Sequence, residues 1–63
     1  MKQFYTFKSL YLDDFDTLDE AMTEAETIMN RCRGYKLRRA DKILCPEVHI
    51  WSRGGRRIIR IVQ

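Results

Sequence analysis

The sequence predicts an α+β fold: one small domain over residues 1–63 in the order βαβββ, with a helix packed on an antiparallel sheet that ends in a Gly-Gly hairpin. Three observations predict it. Thr17-Leu18-Asp19-Glu20 has the spacing of a capping box and precedes a stripe of apolar residues at helical period. Gly54-Gly55 separates two runs rich in β-branched residues. Residues 2–12 and 35–44 carry the aromatic, β-branched and alternating side chains of strands.

Residues 2–12, with Phe4, Tyr5, Phe7 and Tyr11, form the first expected strand. The helix follows. In the capping box the Thr17 hydroxyl accepts from the Glu20 amide, and the Glu20 carboxylate reaches back to the Thr17 amide. Leu18, Ala21, Met22, Ala25, Ile28, Met29 and Cys32 then recur every three or four residues and so share one face. Acidic residues crowd the first turn and Arg31 and Arg33 the last, which suits the helix dipole, and Gly34 is the expected stop.

In the second strand, residues 35–44, Lys36, Arg38 and Lys42 share a face with Ala40, while Tyr35, Leu37 and Ile43 take the other. Pro46 marks a turn before the hairpin. A two-residue Gly54-Gly55 loop then sets Arg53 opposite Arg56, Trp51 opposite Ile58, His49 opposite Arg60 and Glu47 opposite Val62 on one face. Val48, Ile50, Ile59 and Ile61 line the other, which is purely aliphatic except where Ser52 meets Arg57, and which is therefore expected to pack beneath the helix.

Charge is divided along the chain. Residues 1–30 carry two basic and seven acidic side chains, and residues 31–63 carry ten basic and two acidic ones. Part of this division serves the helix ends; the remainder predicts a basic surface on the open face of the sheet. That face gathers Lys36, Arg38, Lys42, His49, Trp51, Arg53, Arg56 and Arg60 as partner-binding residues. Arginine and tryptophan concentrate binding energy between proteins, and basic side chains interleaved with an aromatic ring also suit single-stranded nucleic acid. The bland alternative is that the arginines solvate and protect exposed strands while Trp51 packs on Ile58.

Other chemistries find little purchase. Cys32, Cys45 and His49 have no fourth ligand and no CxxC clasp, so no metal is expected. Asp13, Asp14 and Asp16 lack the later ligands and the glycine of a calcium loop. One histidine on so small a domain gives no expected catalytic residue, and the glycine pair precedes no helix that could cradle phosphate. No enzyme activity, cofactor or small-molecule substrate is expected. No apolar run approaches the roughly 20 residues of a membrane span, and the first residues lack a signal peptide's apolar stretch, so the expected location is cytoplasmic.

Thr17-Leu18-Asp19-Glu20-Ala21, then Ala25-Glu26, then Gly34-Tyr35-Lys36-Leu37-Arg38-Arg39 resemble the helix-then-strand segment of the small T7-type phage proteins that inhibit host RNA polymerase. The resemblance covers about two dozen residues. Arg39 matches one of the strand arginines with which that family holds the polymerase, and Asp41 stands at a second such position. The resemblance implies a class, small phage or prophage accessory proteins that act by stoichiometric binding, and carries no target. Joined to the basic face, it gives a non-enzymatic binding module that inhibits or modulates a host macromolecule by engaging an acidic patch on a protein, one that itself handles nucleic acid. Direct binding of DNA or RNA by the same face is the alternative.

The capping box yields a direct test. Thr17→Ala removes the acceptor for a first-turn amide and is expected to cost about 1 kcal/mol of stability. Thermal unfolding measures this, and an unchanged midpoint would place the helix start elsewhere.

Overall fold

The hydrophobic stripe of the helix and the apolar residues of two strands meet in one small core, from which the rest of the architecture follows. In a computed structural model that describes residues 2–63, with Lys2 described by its backbone alone, the elements are β1 (Lys2–Tyr11), α1 (Leu18–Arg31), β2 (Leu37–Arg39), β3 (Lys42–Trp51) and β4 (Ile58–Val62). The expected α+β class and βαβββ order hold for this domain. A short 3-10 turn at Leu12–Asp14 links β1 to the helix, and a loop at Arg53–Gly55, in which Gly54 and Gly55 take positive φ, links β3 to β4.

Helix α1 starts where the sequence places it. Thr17 is the N-cap and its hydroxyl accepts from the Glu20 amide at 3.2 Å. The Glu20 carboxylate, however, accepts from the amide of Asp16 at 3.3 Å rather than from that of Thr17, so the returning half of the box closes one residue earlier. The helix ends at Arg31 with Cys32 as C-cap, so Gly34, the expected stop, stands one position beyond C′ and takes φ +83° in the turn that follows. Ala21 and Ala25 are fully buried. Their small side chains let the helix lie close on Leu10, Val48 and Ile50, with Leu18, Met22, Ile28, Met29, Ile59 and Val62 packed around them.

The sheet is mixed, not antiparallel throughout as the sequence reading had it. β3 is central and pairs parallel with β1 from Lys2↔Ile43 to Tyr11↔Trp51, with a bulge at Phe7. A parallel neighbour needs a crossover, and α1 supplies it. On its other side β3 pairs antiparallel with β2 over Lys42–Leu44 and with β4 over Val48–Trp51, so β2 and β4 lie end to end along one edge.

Three local expectations are corrected. Residues 35–44 do not form one strand: Ala40 and Asp41 take φ of 48° and 64° and make a tight turn, so Lys42 opens β3 opposite Arg39. Two consecutive positive φ values are the signature of a hairpin turn that usually carries Asn-Gly, and Ala-Asp conceals it in the sequence. Pro46 marks no turn; it is buried inside β3. It falls in the stretch where neither β2 nor β4 pairs with β3, so the antiparallel ladder does not require its missing amide.

The third correction concerns the hairpin. Trp51 faces Ile58 and the Ser52 amide donates to the Arg57 carbonyl at 2.8 Å, both as expected. The loop is longer than two residues, because Arg53–Arg56 lie outside the pairing. A bulge at Ile59 then shifts every later pair by one, giving Ile50↔Arg60, His49↔Ile61 and Val48↔Val62. Arg60 thus shares the helix-side face with Ile50 at the exposed edge, and Ile61 moves to the open face.

The outcome is a thin molecule. Cα extents are 40 × 23 × 13 Å. The radius of gyration is 12.6 Å, against about 10.6 Å for a compact chain of this length. One helix covers one side of the sheet. No helix among the described residues is long and apolar enough to cross a membrane.

The Ala40-Asp41 turn offers a test of the β2–β3 pairing. Replacing it by Asn-Gly (Ala40→Asn with Asp41→Gly) relieves positive φ at two non-glycine positions and is expected to raise stability by about 1 kcal/mol. A fall in the unfolding midpoint would mean that β2 and β3 do not meet through this turn.

Candidate functional site: the uncovered face of the sheet

Strand alternation decides what the uncovered face presents. Val48 and Ile50 point into the core, so Glu47, His49 and Trp51 point away from it. Register adds their neighbours: Thr6 beside Glu47, Ser9 beside His49 and Tyr11 beside Trp51 from β1, Ile61 and Ile58 from β4, and Phe4 and Ile43 toward the far end. Phe4, Tyr11, Ile43, Ile58 and Ile61 are each between 36% and 51% exposed. These five, with half-buried Trp51, make the face aromatic and aliphatic where a basic surface was expected.

Two ordered contacts lie within it. Tyr11 stacks on Trp51, ring centroids 6.3 Å apart and 19° from parallel. Glu47 accepts from His49 Nε2 at 2.5 Å, and both side chains are largely buried. A carboxylate only accepts, so Nε2 carries the proton and Nδ1 can accept from the Thr6 hydroxyl at 3.2 Å. Gln63 donates to the second Glu47 oxygen at 3.4 Å. Hydroxyl, imidazole and carboxylate stand in the order of a hydrolase relay, but Thr6 Oγ1 lies nearly equidistant from both ring nitrogens, at 3.2 and 3.3 Å, on an open sheet. The arrangement orients the imidazole and satisfies polar groups in the middle of an apolar surface.

The predicted partner-binding residues divide. His49 and Trp51 are together on this face, and Arg38 joins it at the far end through its pairing with Ile43. Lys42 and Arg60 belong to the helix side by register, though both are exposed. Lys36 and Arg56 lie in loops, exposed. Arg53 is turned away: its guanidinium donates to the carbonyls of Phe15 at 3.2 Å and Asp16 at 3.4 Å. The basic residues therefore form a rim along the β2 and β4 edge, not a continuous face. Sequence reasoning missed Phe4, Thr6 and Tyr11, whose position depends on the parallel register of β1, and put Ile43 and Ile61 on the buried side.

Arg53 helps to fix this end of the face. Together with the Asp13 carboxylate, which accepts from the Gly54 amide at 3.0 Å, it clasps the β3–β4 loop to the chain entering α1. Gly55 lies against the Tyr11 ring, and a Cβ there would stand 3.1 Å from Tyr11 Cε1.

At the opposite end, on the helix side, Phe7 makes edge contacts with Tyr5 at 6.4 Å and Tyr35 at 5.8 Å. Burial pushes the Tyr5 phenol above its ordinary pKa, with Tyr35, Cys32 and Cys45 as smaller causes. The phenol thus stays neutral at physiological pH. Its hydroxyl and the Trp51 indole nitrogen are buried polar atoms without a partner among the described residues. Among the described residues no three His, Cys, Asp or Glu side chains stand close enough to share a metal ion.

No protein-family model, curated protein or solved structure matches this chain.

Gly55 and Gly54 together test the support of the face. Both have positive φ, but only Gly55 approaches Tyr11. Gly54→Ala is expected to cost about 1 kcal/mol for its backbone conformation alone. Gly55→Ala is expected to cost about 1 kcal/mol more, through displacement of Tyr11, and to shift Trp51 fluorescence. Equal losses with unchanged fluorescence would contradict the Gly55–Tyr11–Trp51 stacking.

Proposed function

We propose that the chain is a non-enzymatic binding module that occupies a partner protein stoichiometrically, in the manner of small phage or prophage accessory inhibitors, and that it does so through the uncovered face of its sheet. One observation carries this reading: Phe4, Tyr11, Trp51, Ile43, Ile58 and Ile61 share a surface against which, among the described residues, no other element packs. A contiguous apolar patch rimmed by arginine has the composition of a protein interface, with aromatic anchors at its centre and charge at its margin.

The rim fits the charge division of the sequence. Arg38 and Arg39 on β2, and Arg56, Arg57 and Arg60 on and before β4, border the face along one edge. Such a rim steers an acidic partner and fixes its orientation, while the apolar centre supplies most of the affinity. A host protein that itself handles nucleic acid, with an acidic surface beside an apolar one, has the required chemistry.

Direct nucleic-acid binding is supported by the exposed Phe4 and Tyr11 rings next to a basic edge, an arrangement on which bases can stack. The three exposed isoleucines favour protein, since they offer a base no π face.

Capture from a bacterial lysate tests the choice. The wild-type chain is expected to retain one stoichiometric protein after nuclease treatment, and Ile43→Ser with Ile61→Ser to weaken that complex by roughly 2 kcal/mol while the fold persists. Recovery abolished by nuclease, with a steep loss of binding as salt rises, would place nucleic acid on the face instead.

A further inference from the structure

We propose that the outer edge of β4 is a strand-addition site for an extended segment of another protein in which acidic and apolar residues alternate. Among the described residues β4 pairs only with β3, so its outward backbone groups have no strand partner there. An open depression of about 430 Å³ lies against β4, lined by Ile58, Ile59, Arg60 and Ile61. An extended chain laid there continues the sheet by main-chain hydrogen bonds, and its alternate side chains fall on the two faces.

The two faces of β4 ask for different side chains. Ile58 and Ile61 lie on the open face and are exposed, so an added strand gains by placing apolar residues beside them. Arg60 pairs with Ile50 on the helix side, and Arg57, which exchanges hydrogen bonds with Ser52, precedes Ile58 and so falls on that same side. Among the described residues no arginine or lysine stands within ion-pair distance of a carboxylate, which leaves Arg56, Arg57 and Arg60 without an acidic partner. Acidic side chains on this side of an added strand supply one.

Charge also decides against a second copy of the chain. Pairing β4 with its own equivalent brings six arginines into one short ribbon, which is how natural sheet edges resist self-association. β1, the other edge, runs into the acidic stretch at Asp13, Asp14 and Asp16, so it lacks this complementarity. The inference rests on the protein-binding reading for the class of partner only; occupation of β4 does not require that the open face be filled.

The probe is a short acetylated peptide alternating glutamate and valine, compared with one alternating lysine and valine, each titrated into isotope-labelled protein. The glutamate peptide is expected to shift residues 58–62 and to slow hydrogen exchange at the amides of β4, and the lysine peptide to leave them unchanged. Arg57→Gln with Arg60→Gln, checked for fold by circular dichroism, is expected to weaken binding about tenfold or more. Ile43→Ser, distant on the open face, is expected to leave it intact, which separates this edge from the lysate partner's surface. Equal binding of both peptides, shifts confined to β1, or no binding by either would overturn the proposal. So would protection of β4 that rises with protein concentration alone, since a second copy would then occupy the edge.

Discussion

Val48 and Ile50 lie fully buried beneath Ala21 and Ala25, and that contact sets the orientation of everything else in the sheet. A strand repeats every two residues, so once these two side chains face the helix, Glu47, His49 and Trp51 must face away. β3 is the central strand, and its neighbours inherit the choice: Leu10 of β1 goes inward with Ile50, and Tyr11 goes outward with Trp51. The two alanines matter because larger residues would lift the helix off the sheet. One fourteen-residue helix covers one side of this sheet, and among the described residues no other element lies on the opposite side.

This arrangement turns a linear division of charge into a spatial one. The acidic residues of the first half decorate the outer surface of α1 and the turn before it, and the basic residues of the second half line the β2 and β4 edge. On the side of the sheet away from α1 lies a surface of rings and isoleucines, with the polar Thr6–His49–Glu47 group in its interior. The sequence reading assigned the arginines to the face itself. At the rim they act through approach and orientation, and the buried area goes to the side chains that alternation points outward.

Elements governed by local chemistry were legible in the sequence. The Thr17 cap, the apolar stripe of α1 and the Trp51–Ile58 match across the hairpin all depend on residues close in the chain. What escaped depends on distant contacts or on a turn without its usual residues. Parallel pairing of β1 with β3 joins residues about forty positions apart and leaves no periodic mark that distinguishes it from an antiparallel neighbour. Ala40-Asp41 adopts a glycine-type turn without glycine, and Pro46 sits within a strand at the one stretch where the antiparallel ladder is interrupted. A single extra residue at Ile59 exchanged the faces of Arg60 and Ile61, so the candidate site was legible at His49 and Trp51 and misassigned beyond the bulge.

The central claim is that one face of the sheet is apolar and bare in the free protein. Solvent paramagnetic relaxation, read by NMR on dilute protein with a soluble inert gadolinium chelate, tests it most directly. The ring and methyl protons of Phe4, Tyr11, Ile43, Ile58 and Ile61 are expected to relax strongly, and those of Ala21, Ala25, Val48 and Ile50 to be protected. Equal protection of both groups at the lowest concentration would mean that the face is covered within the single chain and would contradict the account.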